Sequence, residues 1–218
     1  MRITSLCLVY FLLSTGTIVL AQDPTRFEKE VTTLIASDTA VSKKNLILFT
    51  GSSSIRFWGN IKAYYPEYNV VNRGFGGSQM SDLIYYFDKL VTPYEAKKIF
   101  IYEGDNDLGT GKTPKQIIAD ADSVLKLIRS KVSKKVPVYF ITPKPSIARW
   151  HLKDQYIAYN NLLKEWAGRQ KKVTYVDVWT PLLDSAGQPQ KDIFIEDGLH
   201  LNKKGYELWS AAIKPYVQ

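Results

Sequence analysis

Apolar residues follow two spacings along this chain, and stretches of each alternate. Five short runs, "NLILFT" (45–50), "YNVV" (68–71), "KIFIYE" (98–103), "VPVYFIT" (136–142) and "VTYVDVW" (173–179), are rich in Val, Ile, Phe and Tyr and are bounded by turn residues. Runs of this kind predict strands buried on both faces. Helical spacing lies between them. It is clearest in "TPKQIIADADSVLKLIRSKV", where Thr113 suits an N-cap, Pro114 the first helical position, and Ile117, Ala121, Val124, Leu125 and Ile128 line one face. Phe27, Val31, Leu34 and Ile35 mark an earlier helix, and others are predicted near 79–91, 151–168 and 203–214. Strand, helix, strand repeated in this way predicts an α/β three-layer sandwich, a five-stranded parallel sheet with helices on both faces. In such sheets a ligand site lies outside the carboxyl ends of the strands.

The first residues belong to a different class. "MRITSLCLVYFLLSTGTIVLAQ" carries Arg2, an apolar stretch from Ile3 to Leu20, and Ala21 before Gln22, the layout of a secretory signal peptide occupying 1–21. An uncleaved anchor is the alternative, because the stretch approaches the roughly 20 residues of a bilayer span; Ser14 to Thr17 interrupts it. Cleavage leaves one domain over 22–218, exported to a periplasmic or extracellular location and without a stable membrane anchor. The only cysteine, Cys7, leaves with the signal, so a thiol nucleophile, a disulfide and a thiolate metal site are excluded from the mature chain. The net charge is +8, yet the lysine doublets 43–44, 97–98, 134–135, 171–172 and 203–204 are spread along the chain. Scattered charge reads as a solvated surface, with no nucleic-acid partner expected.

The strand ends hold the chemistry. The first delivers "GSSS" (51–54), the second "NRGFGGS" (72–78), the third "EGDNDLG" (103–109), and the segment after the fifth reaches "EDGLHLN" (196–202). Ser, Gly, Asn, Asp and His are the residue types acyl transfer needs: a hydroxyl attacks a carbonyl once a base takes its proton, and donors must await the negative charge on the oxygen. Of the two histidines, His200 follows Asp197 by three residues, so one turn of chain can aim the carboxylate at the imidazole. The residues alone do not distinguish Ser52, Ser53 and Ser54 as nucleophile, and Ser54 would also serve as a helix N-cap.

"GSSS", "GFGGS", "GDND" and "DGLH", in this order and on successive strand ends, resemble the four sequence blocks of the SGNH (GDSL) hydrolase superfamily, of the platelet-activating-factor-acetylhydrolase-like type. The resemblance implies a flavodoxin-like fold and a serine esterase or acylhydrolase without cofactor or metal. It makes Ser53 the nucleophile, His200 the base and Asp197 its orienting carboxylate, with Ser53, Gly77 and Asn106 forming the oxyanion hole. Ser52 stands where the family has Asp, which puts that carboxylate's role in doubt.

Other motifs fail on spacing. "GTGKT" has Asn106 where a phosphate-binding loop requires Gly, "GFGGSQ" lacks the third Gly of a dinucleotide fingerprint, and the "DNDLG" segment lacks the turn Gly and closing Glu of a calcium loop. A small-molecule or glycan ester is the expected substrate, with a short acyl group, acetyl first, on a carbohydrate or other polar alcohol. No segment is spare to line a long apolar pocket, and Trp58, Phe75, Trp150 and His151 are candidates for contact with the substrate. A lysophospholipase or thioesterase is the alternative, as is a non-catalytic carbohydrate- or lipid-binding module on the same fold.

Overall fold

The computed structural model describes residues 23–40 and 42–218, so the segment read as a signal peptide lies outside the described residues. The five expected strands are present as β1 (Lys44–Gly51), β2 (Val70–Gly74), β3 (Glu95–Tyr102), β4 (Val138–Ile141) and β5 (Val173–Val176). All pair in parallel, in the order β2-β1-β3-β4-β5. The chain leaves β1 for β2 on one side and returns to β3 on the other. That reversal opens a crevice at the carboxyl ends of β1 and β3, where ligands bind in sheets of this kind.

Side chains alternate across the sheet and divide the interior into two layers. Leu46, Leu48, Ile99, Ile101, Val138 and Phe140 point to one face, against α1 (Glu28–Ala36), α3 (Met80–Tyr85), α6 (Pro114–Leu127) and α7 (Lys153–Gly168). Ile47, Phe49, Phe100, Tyr102 and Ile141 point to the other, against α2 (Ser53–Arg56) and α8 (Lys203–Val217). Two further short helices, α4 (Phe87–Leu90) and α5 (Asp105–Gly109), complete the set used below. Each fully buried Leu, Ile or Phe contributes roughly 1.5–3 kcal/mol, which makes these layers the main source of stability.

Helix α6 begins as its sequence predicts. Thr113 and Gln116 form a reciprocal capping box, with Pro114 at the start, and Ile117, Ala121, Val124, Leu125 and Ile128 are all buried. The helix expected over 79–91 is instead two, because Tyr86 leaves the helical conformation between α3 and α4 and its hydroxyl donates to Pro24 O at 2.9 Å. Strand β5 stops at Val176, short of the run expected to 179, where the Asp177 carboxylate accepts the N–H groups of Trp179 and Thr180. Among the described residues no helix is long and apolar enough to cross a membrane.

Two of the residues expected to touch substrate belong to the core instead. Trp58 is 2% exposed and packs against Phe49, Tyr206 and Trp209, and Phe75 is fully buried edge-on to Phe27 and Tyr86. Position near a strand end was the only warrant for them, and burial of large aromatic area outweighs it.

Candidate active site

The site begins where β1 stops. Gly51 has φ +132°, and a Cβ there would lie 2.0 Å from Tyr102 O. Only glycine lets β1 turn this tightly against the end of β3. The turn is held by the Ser52 N–H donating to Tyr102 O at 3.0 Å, and it places Ser53 at the start of α2. Of the three serines, Ser52 and Ser54 are buried at 1% and 2% exposure, whereas the Ser53 hydroxyl lies 2.9 Å from His200 Nε2.

His200 is presented by a tight turn. Asp197 Oδ1 accepts the N–H groups of Leu199 and His200 at 2.8 and 2.9 Å, while its Oδ2 lies 2.5 Å from His200 Nδ1. Desolvation alone would raise the Asp197 carboxyl; the imidazole and the two N–H donors together outweigh it and hold the group down at about 2. An ionised carboxylate only accepts, so the proton belongs on Nδ1, and Nε2 is left to accept from the Ser53 hydroxyl. The Phe57 ring meets the imidazole edge-on at 4.9 Å between centroids.

Two donor candidates come from the segments that follow β2 and β3. A Cβ on Gly77 would lie 3.8 Å from Asn106 Nδ2, which makes the Gly77 backbone and the Asn106 amide neighbours. Among the described residues neither the Ser53 N–H nor the Gly77 N–H has an acceptor. Asn106 lies on α5, and its Nδ2 donates to Ser78 O at 2.9 Å, leaving its second hydrogen for another acceptor. Donors fixed in advance are what a developing oxyanion requires.

Beneath Asn106 is a buried ionic cluster. Asp105 accepts from Lys144 Nζ at 2.8 Å, Arg149 Nη1 at 2.6 Å, Tyr102 OH at 2.8 Å and Tyr156 OH at 2.5 Å. Burial alone would raise its carboxyl; Lys144 and Arg149 outweigh it and hold the group well below the usual carboxylate range. Its neighbour Asp107 accepts from Met80 N and Lys112 Nζ. The two carboxylates that resembled the opening of a calcium loop are thus occupied by cations and N–H groups of the chain itself.

The glycine loop is braced by the first helix. Glu30 of α1 accepts the Gly76 N–H at 2.9 Å and pairs with Arg56 Nε at 2.9 Å, while the Phe27 ring occupies the space where a Cβ on Gly76 would sit. Ser53, His200 and Asp197 are thus joined by direct contacts, and Gly77 and Asn106 are neighbours at the ends of the adjoining strands. Trp150 and His151 follow Arg149 on a short turn, where Trp150 is half-buried against Trp179 and His151 is exposed. Sequence reasoning passed over Glu30, Phe57, Lys144 and Arg149. The last two lie after β4, whose carboxyl end obeys the same rule as the others and was left without a candidate nucleophile or donor.

This architecture has known counterparts. The profile of the GDSL-like Lipase/Acylhydrolase family matches residues 49–208, from the end of β1 into α8. The chain belongs to that family. Like its members it is a serine ester hydrolase of α/β fold. A Streptococcus pneumonia protein, whose structure is described as that of a candidate platelet activating factor, superimposes with a TM-score of 0.77 at 23% identity, over 88% of this chain and 92% of that one. A GDSL-like lipase from Bacteroides thetaiotaomicron gives 0.71 at 17% identity, over 89% of this chain and 98% of that one. An acetylxylan esterase from Geobacillus stearothermophilus gives 0.63 at 16% identity, over 81% and 96%. No curated protein matches the sequence. At these identities the likeness of this GDSL hydrolase to the three concerns the fold.

Proposed function

We propose that this GDSL hydrolase is an exported esterase that removes short acyl groups, acetyl first, from a carbohydrate or other polar alcohol through an acyl-enzyme on Ser53. The observation that carries this reading is the Ser53–His200–Asp197 chain of contacts, at 2.9 and 2.5 Å, supported by the neighbouring donors Gly77 and Asn106. His200 Nε2 takes the hydroxyl proton as Ser53 Oγ attacks the ester carbonyl. The carbonyl oxygen becomes an anion received by the N–H groups of Ser53 and Gly77 and the Asn106 amide. His200 then returns the proton to the departing alcohol, and water repeats the sequence on the acyl-enzyme.

Two features support a short acyl group. Ile55 of α2 shares a closely packed core cluster with Phe49 and Trp58, all at most 2% exposed, so the side chains nearest Ser53 in the chain fill core space and do not line a pocket for a long acyl group. The fold is also shared with the Geobacillus stearothermophilus acetylxylan esterase, an enzyme named for an acetyl ester of a carbohydrate. Export rests on the leader-like residues 1–21.

A lipid acylhydrolase is the second reading, favoured by a specific observation: Phe57, Ile147 and Ile195, beside the His200 turn, are 50%, 46% and 49% exposed. The deciding measurement is kcat/KM across p-nitrophenyl esters of increasing chain length, with acetylated xylo-oligosaccharide and a lysophospholipid as natural counterparts. Acetyl or propionyl esters are expected to be the best substrates. A maximum at about eight carbons or more transfers the assignment to the lipid class, since each added CH₂ would then be contributing roughly 0.8 kcal/mol of burial.

A further inference from the structure

Arg149 has no place in the mechanism above, yet its guanidinium lies against the Asn106 side chain. One nitrogen, Nη2, donates to Asn106 Oδ1 at 2.9 Å, and the other, Nη1, donates to Asp105 O at 2.8 Å and to Asp105 Oδ1 at 2.6 Å. The fork is fixed on its far side as well, because a Cβ on Gly109 would lie only 3.0 Å from Arg149 Cζ. The guanidinium is thus held by α5 and holds α5 in return.

The geometry points to Arg149 as a positioning residue that sets the polarity of the Asn106 amide and strengthens it as an oxyanion donor, a role that rests on the acyl-enzyme reading. A carboxamide has two faces of similar shape and opposite polarity, and only the NH₂ end can stabilise an anion. Two contacts choose the orientation here. Ser78 O can only accept, so it requires Nδ2; Arg149 can only donate, so it requires Oδ1. A flipped amide would set N–H against N–H and oxygen against oxygen. The cation also withdraws electron density from Oδ1, and a charge-assisted bond at one end of an amide makes the N–H groups at the other end better donors. Lysine cannot replace this, since a point charge on a flexible stem does not reach two acceptors in a fixed plane.

The test is a double-mutant cycle on kcat with Arg149→Met and Asn106→Ala, with thermal unfolding followed in parallel. Asp105 keeps Lys144, Tyr102 and Tyr156 as partners in Arg149→Met, so the variant is expected to fold. In the Asn106 background Arg149→Met should lower kcat about 10- to 100-fold with little change in KM, less than outright loss of a donor. In the Asn106→Ala background it should cost less than about 3-fold, because the group it acts through is gone. Arg149→Lys should recover little of the loss, and added guanidinium should restore part of the rate to Arg149→Ala. Should Arg149→Met be insoluble, Arg149→Lys carried through the same cycle answers the question. The same cost in both backgrounds, or an unchanged kcat in Arg149→Met, overturns the proposal. A wild-type rate in Asn106→Ala alone overturns it differently, by removing Asn106 from the oxyanion hole, and so separates a failure of the site assignment from a failure of the role given to Arg149.

Discussion

Asp197 and Asp105 each orient a functional neighbour, but the first side chain is 43% exposed and the second 4%. Asp197 reaches His200 from a surface turn and is bonded within that turn. Asp105 underlies Asn106 from the interior, held by two cations and two hydroxyls from β3, α7 and the loop after β4. The difference follows from what each half of the site does. A general base changes charge in every cycle and must exchange a proton with water. An oxyanion donor does its work by standing still, since donors that need not reorganise are worth most where water is excluded. One half of the cleft is accordingly built on a solvated turn and the other on a buried network.

The largest expected effect tests the turn half through its partners. Ser53→Ala and His200→Ala should each lower kcat by about 10⁶-fold, equivalent to about 8 kcal/mol, with the melting temperature nearly unchanged. Ser53→Ala retaining much of the wild-type rate would reject Ser53 as nucleophile and return the question to Ser52 and Ser54.

The two aspartates should then fail in opposite ways. Asp105→Ala leaves Lys144, 1% exposed, without its carboxylate, and a buried charge stripped of its partner costs about 3–5 kcal/mol. Asp197→Asn should leave stability within about 1 kcal/mol, because exposed ion pairs contribute little, and should lower kcat by about 10²- to 10⁴-fold as the imidazole loses its orientation. Chemical denaturation and steady-state kinetics on the same preparations read both. Equal destabilisation of the two variants would break the contrast. Asn106→Ala comes next, with kcat lower by about 10²- to 10³-fold and the fold intact.

How much of this was legible in the sequence depends on distance along the chain. The Asp197–His200 pair spans three residues, so its geometry was readable from spacing alone. The Asp105 network joins residues 102, 105, 144, 149 and 156, and nothing in the local pattern around Lys144 or Arg149 announces a cation destined for burial. The strands were legible because continuous apolar runs leave few alternatives. Helices α2 and α5, which carry Ser53 and Asn106, were not, because four or five residues are too few to show a period. The aromatic residues misled for a related reason: position near a strand end does not say whether a ring faces the cleft or, as with Trp58 and Phe75, the core.

The smallest effect concerns Glu103, two residues from Asp105 and equally buried, but without a cation in contact. Ser78 Oγ donates to its Oε1 at 2.7 Å, and its Oε2 has no partner among the described residues. Burial first, then the carboxylate of Asp107, pushes the Glu103 carboxyl well above its ordinary 4.5; Asp82 adds to this, while Ser78 and Lys112 oppose it. The sign of the stability effect follows from the direction of the shift. A carboxyl raised on folding keeps its proton in the native state where the unfolded chain has released it. Its contribution is therefore complete below about 4.5 and is lost as pH rises through the raised native value. Asp105 and Asp197, both lowered, behave in the opposite sense: their contributions are present above the unfolded value of 3.8 and are lost as pH falls through the lowered ones. Glu103→Gln fixes the uncharged form in both states, so the variant should lose less stability than the wild type over the range in which pH rises above about 4.5. Asp107, which is also raised by burial, should preserve part of the slope in the variant. Denaturation midpoints taken across that range are the measurement. Parallel curves for wild type and variant would mean that Glu103 is ionised in the folded protein, and that a buried carboxylate next to the oxyanion loop stands charged without a cation in contact.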